Sequence, residues 1–500
     1  MPRPARAALA LLPGLAALLA AWSILDNDFF ADDFGYLFEL ATVGPRDLLT
    51  APYAGHMLFV RNLVFYGCFA AFGMEPRGYF AVVLATHVVA SLLVGVVARR
   101  LTGDGLVACL AGVLFAVTPA NHGTLGWYSA SGHALAAVAV LAALAIVVPP
   151  PGNGAPLTPR AAVLAAVAML VASQSFGTGA AVALVFPIVA VLLRPATLRA
   201  PLSRAILAAV PLLVLGAWLL MTGLRTRLNP GGVESTRTMA LLATDYLRIG
   251  VVTAHLLGVG LDWLLLGLPF TPAGYGKGLS VATIGLSVLA VATALAFGDG
   301  RMRRALLACL LAAITCYLAI AAGRASLYVF LTRDSLVPAL AESTRYQYLA
   351  QSLLALVVAL ALAELGRHAP WPARVSTGAV SLWTLWAIAS LLWFPPWVPP
   401  IGERERRYVP QVRARLDTAI RGAAPGTTLC LPAELGASFL GHPGLLGVFV
   451  LYYPTDEIEG RRVRFVSSDP KVLALRDTSA RLRALIVPEG ACPSSGAKSG

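Results

Sequence analysis

The residues best suited to chemistry begin at Asp26-Asn27-Asp28-Phe29-Phe30-Ala31-Asp32-Asp33-Phe34, which holds four carboxylates within eight residues. Adjacent acids repel, which raises the pKa of one and makes it a better proton acceptor near neutral pH. The same pair, Asp32 and Asp33, can instead hold a divalent cation such as Mg or Mn through oxygen ligands. The plainer reading is a solvated loop with a helix N-cap, a position that suits Asp. His56-Met-Leu-Phe-Val-Arg61-Asn62 follows, on a stretch apolar enough to lie on a membrane surface. An arginine there snorkels to lipid phosphates. His87 falls inside an apolar run, where a buried polar group usually pairs with another helix.

After the next apolar run comes Pro119-Ala-Asn121-His122-Gly-Thr-Leu-Gly-Trp127. Asn121 and His122 can form a polar pocket wall, and Trp127 either joins it or belongs to an interfacial aromatic belt. Gly323-Arg324 and Thr344-Arg345-Tyr346-Gln347-Tyr348 each set an arginine against an apolar run. Two guanidinium groups at such depth suit a phosphate, which they clamp through charge-assisted bonds. Salt bridges to Asp32 or Asp33 are the competing explanation. An acid for a base and arginines for a phosphate, beside lipid, fit transfer from a lipid-phosphate donor.

The elements that must position these groups follow from composition. The 500-residue chain is 58% hydrophobic and 13% charged, half the roughly 25% charge of a soluble domain. That excludes a soluble enzyme, a disordered chain and a disulfide-stapled secreted module. Apolar runs at about 7–25, 79–98, 105–118, 130–148, 161–175, 179–193, 205–222, 279–297, 305–322, 347–365 and 375–394 predict eleven transmembrane helices. Residues 241–268 are equally apolar but carry Asp245, Arg248, His255 and Asp262, which favours a re-entrant or membrane-surface helix.

Eleven alternating spans gather 13 Lys/Arg and three acids on one side of the membrane, against 11 Lys/Arg and 12 acids on the other side within residues 1–400. The positive-inside rule then places the N-terminus in the cytoplasm, with the first run retained as a span. The expected location is a bacterial cytoplasmic (inner) membrane. The net charge of +13 is thereby a topology signal and does not point to nucleic acid. The last hundred residues hold 14 of the 38 basic and 10 of the 25 acidic residues, so the chain divides into a membrane domain, 1–395, and an extracytoplasmic domain, 396–500. In the latter, Glu403–Arg421 reads as an amphipathic helix. Apolar runs at Thr427–Leu431, Leu445–Tyr453, Arg461–Val466 and Ala484–Val487 read as strands, giving a small α/β domain. Cys430 and Cys492 both fall there and can pair or stay free.

In order, the span followed by Ala31-Asp32-Asp33-Phe34, Arg61, His87, Pro119…Trp127, Gly323-Arg324 and Thr344-Arg345-Tyr346 resemble the GT-C class of polytopic glycosyltransferases. The likeness is to protein O-mannosyltransferases and bacterial relatives that use polyprenyl-phosphate sugars, and it covers roughly residues 1–395. It implies a first-loop acid, Asp32 with Asp33 beside it, acting as base or metal contact on an acceptor hydroxyl. It also implies a lipid phosphate that leaves with inversion, bound by Arg345 and Arg324, with Arg61, His56, Tyr346, His122 and Trp127 lining the substrate site. The acceptor would be a glycan, lipid or protein. Two positions depart from the pattern: Arg61 precedes Asn62 where relatives often have Pro, and Gly123 stands where some relatives carry Glu. A flippase of lipid-linked glycan, or a scaffold whose tail binds a partner or glycan, are the alternative functions.

Overall fold

The computed structural model describes residues 3–29, 31–50, 58–150, 154–228, 246–266, 277–330, 343–368, 400–433 and 444–492. Helices dominate the membrane part, and their boundaries follow local chemistry. The helix Pro76–Thr102 starts with Glu75 as cap, its carboxylate accepting the Arg77 N–H (3.4 Å), and with Pro at the first position. It stops at Gly103, which takes the left-handed φ of +77° that glycine tolerates. Asp104 then caps Gly105–Val117 by accepting the N–H groups of Leu106 and Val107. Pro119 breaks that helix, and the chain bends by 49° into Pro119–Leu125.

Five described helices are long and apolar enough to cross a membrane: Ala7–Asp26, Pro76–Thr102, Tyr128–Val147, Pro201–Leu220 and Gly300–Arg324. The bent pair makes a sixth if it is one span. Four more of the eleven expected spans are shorter apolar helices: Pro159–Ser175, Gly177–Leu193, Ser287–Phe297 and Tyr348–Glu364. The seventeen residues of Pro159–Ser175 and of Gly177–Leu193 rise only ~26 Å, short of a ~30 Å hydrocarbon core. The run at 375–394 lies outside the described residues. Large side chains such as Leu19, Leu212 and Leu219 stay more than 60% exposed on the bundle's outer surface, which suits lipid contact and would be costly in water.

The segment expected to re-enter or lie on the surface forms the helix Tyr246–Leu266. It packs against the helices Lys277–Phe297, Gly300–Phe330 and Tyr348–His368, with Val252, Leu256 and Asp262 buried. His87 is wholly buried, bonded to the Tyr348 hydroxyl at 2.7 Å and the Ala116 carbonyl at 3.1 Å. It serves as the expected tie between helices.

The chain after residue 400 opens with the helix Pro400–Gly422, as its amphipathic pattern indicated. Strand β1 (Thr428–Pro432) and strand β4 (Ile486–Pro488) lie parallel to either side of β3 (Arg461–Ser467), and β2 (Glu457–Ile458) pairs antiparallel with β3. Leu445–Tyr452, expected as a strand, is a helix. Leu445, Leu446, Val448, Phe449 and Val450 are all buried, so its apolar run lacks an exposed face in either conformation and periodicity does not distinguish them. This helix packs against Asp32–Thr42, with Phe38 and Ala41 joining the C-terminal core around Phe449 and Phe465. Cys430 and Cys492 form a disulfide with Cα atoms 6.4 Å apart, which fastens β1 to the chain beyond β4.

Candidate active site

The helix Asp32–Thr42 follows Ala31, whose φ of +47° is sparsely populated by any residue with a Cβ. Such strain costs on the order of 1–3 kcal/mol and persists only where the surroundings enforce it. The two acids that follow separate in role. Asp33 is fully buried and accepts hydrogen bonds from the backbone N–H of Ser129 (2.7 Å) and from the Ser129 hydroxyl. It ties its helix to the turn Tyr128–Ser131, which leads into the membrane helix Gly132–Val147.

Asp32 is half-buried, and its Oδ1 is buried without a hydrogen-bond partner. Burial pushes its carboxyl above the usual aspartate range, while the positive charges of Arg345, Arg61 and Arg324 pull it back down. Among the described residues, none of these arginines reaches ion-pair distance of Asp32. A salt bridge from these arginines to Asp32, one of the two acids weighed from sequence, is therefore absent among the described residues, and the three guanidinium groups act on that carboxylate at longer range.

Arg345 sits on the turn Thr344–Tyr346. Its guanidinium lies 5.0 Å over the Trp127 ring and 4.9 Å over the Tyr346 ring, and it donates to the Tyr346 hydroxyl at 3.1 Å. Arg324 lies 5.3 Å from the same Tyr346 ring, so one aromatic ring contacts both guanidinium groups. Arg324 and Tyr346 also border a cavity of about 270 Å³ whose other walls include Leu184, Trp218 and Ile320. An apolar cavity with a cation on its wall suits an isoprenoid chain and its phosphate.

Arg61 does not behave as the snorkelling anchor expected from its neighbourhood. It is only 2% exposed, with its guanidinium carbon 4.0 Å over the Tyr36 ring, and Nε and Nη1 have no hydrogen-bond partner. Asn121 also turns inward, donating to the Phe115 carbonyl at 2.6 Å. It thereby satisfies a group freed by the helix break. His122 remains partly exposed on His122–Leu125, and its side chain makes no hydrogen bond among the described residues. His56 lies outside the described residues.

Two contributors escaped the sequence reading. Ser129 holds Asp33. His133 is buried with its ring 3.7 Å from that of Phe176, its Nδ1 3.3 Å from the Thr178 hydroxyl and its ring 6.4 Å from that of Tyr346. The only sequence signal was the polar Tyr128-Ser129-Ala130-Ser131-Gly132-His133 heading an apolar helix.

Gly123 positions Arg345. A Cβ at 123 would lie 2.5 Å from the Arg345 backbone nitrogen and would also collide with the Thr344 hydroxyl. The neighbouring Thr124 hydroxyl donates to the Arg345 carbonyl at 3.1 Å. The space that an acidic side chain would need at this position is filled by the arginine turn. Gly123→Ala is expected to displace Arg345 and lower kcat/KM about 100-fold, the size of effect that a ~1 Å misplacement produces. Steady-state kinetics on the purified variant checks this, and unchanged turnover would separate the turn's position from function.

The described residues do not suit a divalent cation. No three His, Cys, Asp or Glu side chains gather there. Asp33 already accepts two bonds from Ser129, and three arginines make the field at Asp32 positive.

No family model matches the chain, and no curated protein matches it. Among solved structures it is similar to ArnT from Cupriavidus metallidurans bound to undecaprenyl phosphate. That match has a TM-score of 0.50 at 13% identity, over 95% of this chain and 88% of that one. The fold is GT-C-like. A weaker likeness, TM-score 0.45 at 14% identity, is to the archaeal oligosaccharyltransferase AglB from Archaeoglobus fulgidus in complex with an inhibitory peptide and a dolichol-phosphate. It covers 84% of this chain and 58% of that one. Within its GT-C-like fold, this chain brings Asp32, Arg61, Arg324, Arg345, Tyr346 and Trp127 to one end of the helix bundle.

Proposed function

We propose that the protein is a membrane glycosyltransferase. It moves a sugar from a polyprenyl-phosphate donor to an acceptor hydroxyl at the outer face of a bacterial inner membrane. One observation carries the reading: a buried carboxylate oxygen of Asp32 without a partner, in the field of three arginines that do not ion-pair with it. The arrangement leaves room for a hydroxyl on the acid and a phosphate on the arginines. The GT-C-like fold supports it, since the similar ArnT structure holds undecaprenyl phosphate.

In this reading Asp32 takes the proton of the acceptor hydroxyl. The oxygen attacks the anomeric carbon, and the bond from that carbon to the phosphate oxygen breaks with inversion. The lipid phosphate leaves with the electron pair, and Arg345 and Arg324 stabilise its charge. The lipid chain occupies the cavity beside Leu184 and Trp218. Asp33 sets the direction of Asp32 through Ser129.

The test is reconstitution in vesicles with a radiolabelled polyprenyl-phosphate sugar and candidate hydroxyl acceptors. Release of polyprenyl phosphate matched by labelled acceptor supports the proposal. Movement of the lipid-linked sugar across the bilayer without transfer would replace it with a flippase.

A further inference from the structure

Arg99 and Arg100 are neighbours in the last turn of Pro76–Thr102, and they are used differently. Arg100 reaches the end of the Gly132–Val147 helix, where its guanidinium bonds the carbonyls of Ala145 and Val148. Those are the carbonyls a helix end leaves without donors. Its own carbonyl accepts from Arg301 at 2.9 Å. The Arg99 side chain, by contrast, is exposed and has no hydrogen bond, ion pair or ring contact among the described residues.

Beside Arg99 lies a cavity of about 340 Å³ between three helices. Leu9 and Pro13 of Arg3–Ala21, Gly95 of Pro76–Thr102, and Gly105 and Cys109 of Gly105–Val117 form much of its lining. It is at the opposite end of the bundle from Asp32, because the first helix runs from this cavity toward the acidic loop. Pro13 has no N–H, so the Leu9 carbonyl on the cavity wall loses its helical donor. The nearest helix N-terminus offers no open anion site, since Asp104 already accepts its N–H groups. Among the described residues that line the cavity, Arg99 is the charged one.

We propose that this cavity binds an anionic glycerophospholipid of the surrounding bilayer, with its phosphate on Arg99 and an acyl chain between the three helices. Two features support it: charge complementarity, and an apolar space opening beside an unengaged guanidinium. Basic pockets between membrane helices hold anionic head groups in this manner. A choline lipid presents a cation next to Arg99 and is disfavoured. The site is separate from the proposed transfer chemistry and stands or falls without it.

Native mass spectrometry of the delipidated full-length chain, titrated with phosphatidylglycerol or phosphatidylcholine, tests this. Phosphatidylglycerol is expected to bind about tenfold more tightly, and Arg99→Ala to remove that preference, the effect of one charge-assisted bond. Gly105→Phe is expected to weaken phosphatidylglycerol equally by filling the cavity, and a Cβ at 105 meets nothing within 4 Å. Arg160→Ala removes another exposed arginine, at the start of Pro159–Ser175 on the same end of the bundle. It is expected to leave binding unchanged. Equal affinity for the two lipids, or equal losses in Arg99→Ala and Arg160→Ala, would overturn the site.

Discussion

Asp32→Asn is expected to lower sugar transfer by about 10²–10⁴-fold, the range for removing a general base, with donor binding and expression unchanged. Asp33→Asn is expected to stay within about tenfold of the parent, because its side-chain oxygen can still accept from Ser129. Asp33→Ala behaves differently again. It strands the Ser129 N–H and hydroxyl in a buried site, at a cost of about 1–3 kcal/mol, so thermal stability falls before turnover is measured. The three variants separate base from brace. Transfer assays paired with thermal unfolding check them, and equal activity losses in both Asn variants would mean the acids act as a unit.

Arg345→Ala is expected to reduce turnover by about 10²–10³-fold, comparable to the loss of one donor to a developing anion. It should also move the acid limb of the pH–rate profile. Asp32 must be charged to act as base, so activity falls as pH drops through its carboxyl pKa. Burial holds that pKa above the usual aspartate value, and Arg345 is the foremost charge opposing the rise. Removing it leaves the carboxylate less stabilised, so the limb shifts to higher pH. Arg345→Lys keeps the charge and hence the limb, but it loses the planar stacking between Trp127 and Tyr346. Its turnover should fall while its pH profile does not move. An unmoved limb in Arg345→Ala would place the guanidinium too far away to act on Asp32.

The opposite behaviours of Asp32 and Asp33 show where a sequence stops being informative. Two neighbouring acids are chemically identical on paper. Consecutive residues on a helix point about 100° apart, so Asp33 is fully buried on Ser129 while Asp32 stays half-buried with Oδ1 unpartnered. Arg61 makes the same point. Its apolar neighbours suggested a lipid-facing anchor, yet the Tyr36 ring lies beneath its guanidinium. Gly123 read as a lost carboxylate, and its missing Cβ is what lets the Arg345 turn approach.

Composition alone determined the membrane setting and the helical class, because the transfer cost of charge into hydrocarbon is set by residue type and run length. Capping chemistry fixed helix ends such as Glu75-Pro76 and Gly103-Asp104 for the same local reason. Periodicity failed for Leu445–Tyr452, where burial on every side erased the pattern that separates helix from strand. Pairing Cys430 with Cys492, placing Arg324 and Arg345 on one aromatic ring and leaving Asp32 without a partner required the tertiary structure. Each depends on distances between segments far apart in the chain, and those are set by helix packing, which no local run of residues encodes.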